Sequence, residues 1–131
     1  MTLTQENYVD RAEEAIKALE KKTGPKRDQP NMVTTSKLRR LLSMTMDIYN
    51  QVRGASEELN GEIRGRIEYL RVRMLYEAGR DKDVKAFLEE AGLIDHLKTM
   101  EKSRSQYLLF VHYMEALVAF RKYLVEKDRD L

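Results

Sequence analysis

The segment 34–40, TTSKLRR, places hydroxyl and cationic side chains together in a pattern that suits an anion. Three hydroxyl residues come first, and Lys37, Arg39 and Arg40 follow them. The first backbone N–H groups of a helix have no partner within the helix and attract phosphate, and nearby cations strengthen that attraction. The pattern therefore predicts a phosphate site at a helix N-terminus. The alternative interpretation is a capped helix whose basic residues are only solvated.

A second segment, 69–80, reads YLRVRMLYEAGR and interleaves arginines with tyrosines. A guanidinium beside a tyrosine suits contacts with sugar and phosphate and stacking on a base. The alternative is pairing of arginine with glutamate on a solvated face, for example Arg73 with Glu77 four residues later. The two segments supply six candidate anion-binding residues: Lys37, Arg39, Arg40, Arg71, Arg73 and Arg80.

The distribution of charge supports these candidates only modestly. The chain has 24 Lys and Arg against 22 Asp and Glu, a formal net charge of +2. Residues 34–80 carry nine bases and six acids, a net charge of +3, and eight of those nine bases are arginine. Arginine binds phosphate through a planar fork, whereas lysine acts as a point charge. The middle of the chain is therefore where a polyanion is expected to bind.

Residue types that carry catalysis are poorly represented. His96 and His112 are the only histidines, and neither has a second ligand at a convincing metal spacing. The sequence contains no glycine-rich phosphate loop, nucleophile elbow or zinc-protease motif. Neighbouring acids such as Glu89 and Glu90 diverge on a helix and do not form a catalytic pair. The sequence therefore predicts a protein without enzymatic activity, metal or other cofactor.

Composition narrows the class of protein further. There is no cysteine among the 131 residues, so disulfides and thiolate metal sites are excluded. No apolar run approaches the roughly 20 residues that span a bilayer, and the first residues do not resemble a signal peptide. We therefore expect a cytoplasmic protein without membrane contact. The length suits one domain, 1–131, and few Pro and Gly residues among abundant helix formers predict an all-α fold.

Apolar periodicity predicts a compact bundle of five or six helices. The expected helices cover about 4–23, 34–53, 56–78, 81–92, 93–102 as a separate or continuous segment, and 103 onward. A polar loop at 24–33 with Gly and Pro is expected to be flexible, and 126–131 to fray. The last helix has the broadest apolar face and should form the main core: Leu109, Phe110, Tyr113, Met114, Leu117, Phe120, Tyr123 and Leu124.

The helix expected at 56–78 has two faces of low polarity. One face carries regularly spaced aliphatic residues, and the opposite face consists of Gly61, Gly65, Tyr69, Val72 and Tyr76. Such a helix is either central in the bundle or contacts a partner. The two glycines either admit another backbone or indicate that the helix begins later, and both interpretations stay open.

Several segments taken together resemble a known family. They are Glu6–Asp10, Thr34–Arg39 followed by Leu41–Ser43, Tyr69–Arg73 with Tyr76–Arg80, and Tyr113–Ala119. In this order they closely resemble the small subunit of the type III-A CRISPR–Cas effector, the Csm complex, which serves in antiviral defence. The resemblance covers nearly the whole chain.

The resemblance implies a non-catalytic helical bundle that stacks in several copies along the guide RNA and the captured target RNA. It implies contacts with the backbone and large subunits, which carry out cleavage and signalling, and a role in holding the target strand through its phosphates. Lys37, Arg39, Arg71 and Arg80 match basic positions of the family motifs. Arg40 and Arg73 are RNA-binding candidates on their chemistry alone.

Two further functions compete with RNA binding. The first is a purely structural helical module whose partner face is Gly61, Gly65, Tyr69, Val72 and Tyr76. The second is a helix-turn-helix DNA binder, which is disfavoured because the expected recognition helix lacks polar residues that could read bases.

Overall fold

The computed structural model describes residues 2–26, 28–100 and 103–125. These residues form seven α-helices and no strand, with one isolated antiparallel bridge between Glu58 and Ser103. The helices are α1 (Tyr8–Lys22), α2 (Thr35–Met46), α3 (Tyr49–Arg53), α4 (Gly61–Arg80), α5 (Lys82–Ala91), α6 (Leu93–Met100) and α7 (Arg104–Leu124). The all-α prediction is confirmed, and the predicted number of five or six helices is too small.

Helix α7 is the core helix, as its apolar face predicts. It packs against α1, α2, α3 and α6, and most of its predicted core residues are buried. Tyr123 is an exception, with 83% of its surface exposed. It lies six residues after Leu117, which places it about 120° away from that residue around the helix. Arg121 is buried in its stead, and its Nε donates to the Val33 carbonyl oxygen at 2.7 Å.

The predicted helix at 34–53 is broken into α2 and α3. Tyr107 donates its hydroxyl hydrogen to the Thr45 carbonyl oxygen at 2.7 Å, and that oxygen would accept from Tyr49 in a continuous helix. The Thr45 hydroxyl also bonds back to the Leu42 carbonyl oxygen at 2.7 Å, a contact that bends helices. The chain therefore turns at 47–48 and starts a new helix, which accounts for the additional element.

The helix predicted from residue 56 begins at Gly61. Asn60 caps it, because its Oδ1 accepts from the Ile63 backbone N–H at 2.9 Å. Glu57, which the sequence assigned to this helix's first turn, accepts hydrogen bonds from the Ser103 hydroxyl at 2.8 Å and from the Ser105 hydroxyl. These hydrogen bonds, that from Ser105 first, hold the pKa of Glu57 below its ordinary value. Glu57 therefore forms hydrogen bonds at the N-terminus of α7 and not at that of α4.

Helix α4 lies at the periphery of the bundle. It packs on α5, α6 and α2 and buries Ile63, Ile67, Leu70 and Met74. An added Cβ at Gly61 or Gly65 would meet no atom within 4 Å among the described residues. The helix begins at Gly61, later than predicted, but it contains Gly65. The interpretation that it is central in the bundle is wrong, and close approach of a partner backbone at the two glycines stays a prediction.

Two other helix bounds differ from the predictions, since α1 begins at Tyr8 and not near residue 4, and α4 continues to Arg80, past the predicted end at 78. The ends of α5 agree with the predicted range 81–92. The Asp81 carboxylate caps α5 by accepting from the Asp83 and Val84 backbone N–H groups at 3.0 and 3.3 Å. Gly92 ends that helix in the left-handed conformation with φ of 66°. The segment 24–33 is a loop in its described part, and its predicted flexibility stays a prediction. The predicted fraying at 126–131 lies outside the described residues.

Candidate nucleic-acid interface

The hydroxyl residues that open α2 do not converge on one anion site. Thr34 caps the helix, and its Oγ1 accepts from the Lys37 backbone N–H at 3.2 Å. Thr35 is buried and turned into the core, whereas Ser36 is exposed. The Lys37 ammonium contacts Asp81 at 2.8 Å and Asp83 at 3.8 Å, which lie at the N-terminus of α5. The N-terminus of α2 is therefore a capped helix start whose lysine is directed to α5.

The candidate cations lie instead along the line where α2 and α3 meet α4. The two segments run antiparallel, and four polar contacts join them in order. Lys37 pairs with Asp81 at 2.8 Å, Arg40 with Glu77 at 3.1 Å, Asp47 with Arg73 at 3.6 Å, and Gln51 accepts a hydrogen bond from Arg66. Arg80 also contacts Glu77, at 3.9 Å. We call these nine residues the polar seam: Lys37, Arg40, Asp47, Gln51, Arg66, Arg73, Glu77, Arg80 and Asp81.

At one end of the polar seam the cations are more exposed than the acids that they contact. The side chains of Arg40 and Arg80 are 60% and 55% exposed, whereas Glu77, which both contact, is 14% exposed. Lys37 likewise covers the less exposed Asp81. Cationic groups therefore form the outer surface here, and their carboxylates lie underneath.

The ion pair at Asp81 affects its titration. Partial burial opposes ionisation of this carboxyl group, but the hydrogen bond from Lys37, aided by the Val84 and Asp83 backbone N–H groups, outweighs that effect. The pKa of Asp81 is consequently held below its ordinary value. The carboxylate therefore stays charged at neutral pH and keeps the Lys37 ammonium at the surface.

Two of the six candidates lie apart from the polar seam. Arg71 pairs with Glu68 at 3.2 Å. It lies two residues before Arg73, and residues two apart on a helix diverge by about 200°, so Arg71 is on the other flank of α4. Arg39 is exposed on the flank of α2 away from Arg40 and forms no ion pair with the described residues. The structure therefore gathers Lys37, Arg40, Arg73 and Arg80.

The alternative interpretation, pairing of arginine with glutamate along this helix, is confirmed for Arg71 with Glu68 and for Arg80 with Glu77. Its example, Arg73 with Glu77, is wrong. Glu77 contacts Arg40 and Arg80, and Arg73 contacts Asp47. Arg66 belongs to the same edge of α4 and was not among the candidates. The signal that could have found it is its spacing, since it lies seven residues before Arg73 and thus on the same side of the helix.

The histidines do not form a metal site. His96 packs edge-on against Tyr113 with ring centroids 5.4 Å apart, and burial, followed by the charge of Arg11, lowers its pKa. His112 lies 3.2 Å from Glu115 on an exposed part of α7. No three candidate ligands are grouped within the described ranges as a metal ion would require. None of the helices described is long and apolar enough to cross a membrane.

These features define a small all-α protein that presents paired cations at the junction of two antiparallel helical segments. The family model described as Csm2 Type III-A matches residues 6–127 of the chain. A Streptococcus thermophilus protein named "CRISPR system Cms protein Csm2" is 41% identical over 127 residues, which cover 96% of this chain and 98% of that protein. A protein of the same name from Mycobacterium tuberculosis (strain ATCC 25618 / H37Rv) is 38% identical over 130 residues, covering 98% and 100%.

The chain therefore belongs to the Csm2 Type III-A family. The resemblance to the small subunit of the type III-A CRISPR complex, drawn from the sequence motifs, is confirmed.

Proposed function

We propose that this chain is a non-catalytic RNA-binding subunit that holds the target strand of a type III-A complex through its backbone phosphates. The cations that contact the phosphates are Lys37, Arg40, Arg73 and Arg80 of the seam region, with Arg39 and Arg71 on the flanks. Membership in the Csm2 Type III-A family supports this role. The partners are the guide RNA, the target RNA, the other Csm subunits and further copies of this chain.

One observation carries the proposal: cations cover carboxylates at the end of the polar seam. Arg40 and Arg80 share a single carboxylate, that of Glu77. Both side chains are more than half exposed, so one guanidinium group can turn to a phosphate while the other stays paired with the carboxylate. Their combined charge therefore exceeds that of the group beneath them, and a phosphate placed on this surface supplies the second negative charge.

The proposal does not need base-reading residues. In RNA-guided complexes the guide reads sequence by base pairing, and the protein contacts the shape and charge of the backbone. Phosphate contacts supply affinity that is independent of sequence and depends on salt. Several copies along one RNA raise the overall avidity, so each subunit can bind weakly. A modest cationic surface on a single helical domain, working in the cytoplasm, is sufficient for this role.

Cross-linking of RNA to protein in the assembled complex tests the proposal. We expect photo-induced RNA cross-links in peptides that cover 37–47 and 66–80, and few at the α1 lysines Lys17 and Lys22. These two are matched control cations, because each is exposed and paired with one glutamate, at 3.0 and 2.7 Å respectively. RNA cross-links confined to α1, with only protein cross-links at the seam, would contradict RNA binding there.

A second candidate function is a structural module that contacts only protein. The observation that favours it is the outer face of α4, where Tyr69, Val72 and Tyr76 are exposed and Gly61 and Gly65 face open space. The same cross-linking map decides between the two functions, because this alternative predicts protein cross-links and no RNA cross-links at α4.

A further inference from the structure

A groove lies beside the polar seam, between the α2–α3 junction and the outer side of α4. Its volume is about 360 Å³, which is at the lower end of the range for small-ligand sites. Gly65 lines it without a side chain, and the Tyr69 ring forms one wall. Tyr69 is 65% exposed, so one side of the groove is an aromatic surface that faces solvent.

Cationic and acidic groups share the rim of this groove. Arg66 and Arg73 line it, seven residues and so about 10.5 Å apart along α4, with Tyr69 between them. Asp47 and Glu62 also line it, and they contact Arg73 and Gln51. The positive and negative charges at the rim are therefore equal in number. Attraction of an anion by charge does not explain why the exposed Tyr69 lies among them.

The same arrangement recurs seven residues along α4. Tyr76 is also 65% exposed, and the Arg80 guanidinium lies over its ring at 5.8 Å from the centroid. The tyrosines and the arginines thus form two parallel rows with one spacing. The face of the Tyr76 ring therefore already contacts a cationic group of the arginine row.

These features suit an unpaired nucleobase better than an apolar protein side chain. A base stacks on an aromatic ring, whereas its ribose phosphate contacts neighbouring arginines. The exocyclic amino group of a base can donate to a carboxylate such as Asp47, a contact that an apolar side chain does not make. An apolar partner would instead leave both rim carboxylates desolvated at a cost.

We propose that this groove binds an unpaired base of single-stranded RNA, stacked on Tyr69 with its flanking phosphates on Arg66 and Arg73. Tyr76 with Arg80 forms a second stacking position for a neighbouring nucleotide. This inference rests on the proposed RNA-binding function. It adds a specific ligand, an unpaired base, which duplex RNA does not supply because its bases are already stacked on one another.

The test compares two oligoribonucleotides of equal length, an oligoadenylate and an abasic strand with the same phosphates, binding to the full chain. Stacking is worth about 1–3 kcal/mol per base, so the wild-type chain should prefer oligoadenylate by about fivefold or more. Tyr69→Ala should remove most of that preference, and Tyr69→Phe should retain it. Tyr123→Ala, which removes an even more exposed ring from α7, is the control and should leave the preference unchanged.

The salt dependence separates this inference from the proposed function. Tyr69→Ala removes no charge, so it should lower affinity for oligoadenylate without changing the slope of log affinity against log salt. Equal wild-type affinity for the two strands, or no effect of Tyr69→Ala, would overturn stacking while phosphate binding at the seam stands. Loss of assembly with the other subunits in Tyr69→Ala, with base preference intact, would overturn it in favour of a protein partner. Absence of binding to both strands would overturn this inference, whereas the proposed function is tested separately by cross-linking in the assembled complex.

Discussion

Arg40 of α2 and Glu77 of α4 form a contact between helices, with Nη2 and Oε2 3.1 Å apart. Arg80 shares the same carboxylate at 3.9 Å, so one acid holds two guanidinium groups. Glu77 is the less exposed member of each pair. This carboxylate therefore positions two cations at the surface and at the same time competes with any phosphate that approaches them.

Removing that competition should strengthen RNA binding. In Glu77→Gln, Arg40 and Arg80 lose their carboxylate, and we expect the affinity for RNA to rise a few-fold while the free energy of unfolding changes by about 1 kcal/mol or less. Titration of labelled RNA at two salt concentrations, with urea unfolding alongside, measures both. The control is Glu13→Gln, which frees Lys17 on α1 and should leave RNA affinity unchanged. Weaker or unaltered binding in Glu77→Gln speaks against phosphate contact at this pair.

The hydroxyl of Tyr107 should stabilise the turn between α2 and α3. Tyr107→Phe removes a buried donor and leaves the Thr45 carbonyl oxygen without it. We expect the free energy of unfolding to fall by about 1–2 kcal/mol, as measured by urea denaturation. Tyr123→Phe removes an exposed hydroxyl and should change it by less than about 0.5 kcal/mol. Equal effects of the two changes contradict the role given to Tyr107.

The cap of α2 should matter more than its neighbouring hydroxyl. Thr34→Ala removes the acceptor for the Lys37 backbone N–H and should cost about 1 kcal/mol of stability. Ser36→Ala removes an exposed hydroxyl from the same turn and should have little effect. Thermal unfolding monitored by circular dichroism compares the two variants. A larger loss of stability in Ser36→Ala than in Thr34→Ala would contradict the assignment of Thr34 as the cap.

Alkaline pH should destabilise the protein through Tyr113. Burial raises the pKa of Tyr113 to about 12 from 10.0, and its hydroxyl donates to the Ala91 carbonyl oxygen at 2.8 Å. The unfolded chain loses this proton above pH 10 and the folded chain only near pH 12. The stabilisation is therefore fully present below pH 10 and is lost as the pH rises to about 12, by an amount on the order of 2 kcal/mol.

The variant Tyr113→Phe checks the assignment of this pH effect. It should be less stable than the wild-type chain at neutral pH but lose stability more gradually between pH 10 and pH 12. Urea unfolding at several pH values measures the slope. Tyr107 contributes in the same direction, since burial also raises its pKa, so part of the slope should persist. If Tyr113→Phe loses stability with pH as steeply as the wild-type chain, the alkaline effect comes from another group.

Features governed by neighbouring residues could be predicted from the sequence. The caps at Asp81 and Ser103 and the left-handed end at Gly92 depend on residues at most four positions away, and the structure has all of them. The buried face of α7 follows from its apolar periodicity in the same way. The error at Tyr123 shows that one residue of a broad apolar set can still fall outside the face.

Features that depend on distant residues could not be predicted. The break after Met46 depends on Tyr107, 62 positions from Thr45, and the late start of α4 on Glu57, which bonds to Ser103. The partners of the candidate cations were missed for the same reason, since Arg40 meets Glu77 only after α2 and α4 pack antiparallel. Charge along the chain indicated the cations but not which of them share a surface.

The measurement that tests the central claim most directly is the salt dependence of RNA binding in a pair of charge-matched double variants. One variant carries Arg40→Ala with Arg80→Ala at the seam, and the other carries Lys17→Ala with Lys22→Ala on α1. If the seam cations bind phosphates, the first should bind single-stranded RNA more weakly, with a log–log salt slope flatter by about 1.4, whereas the second keeps the wild-type slope. Equal slopes in the two folded variants would contradict phosphate binding at the seam.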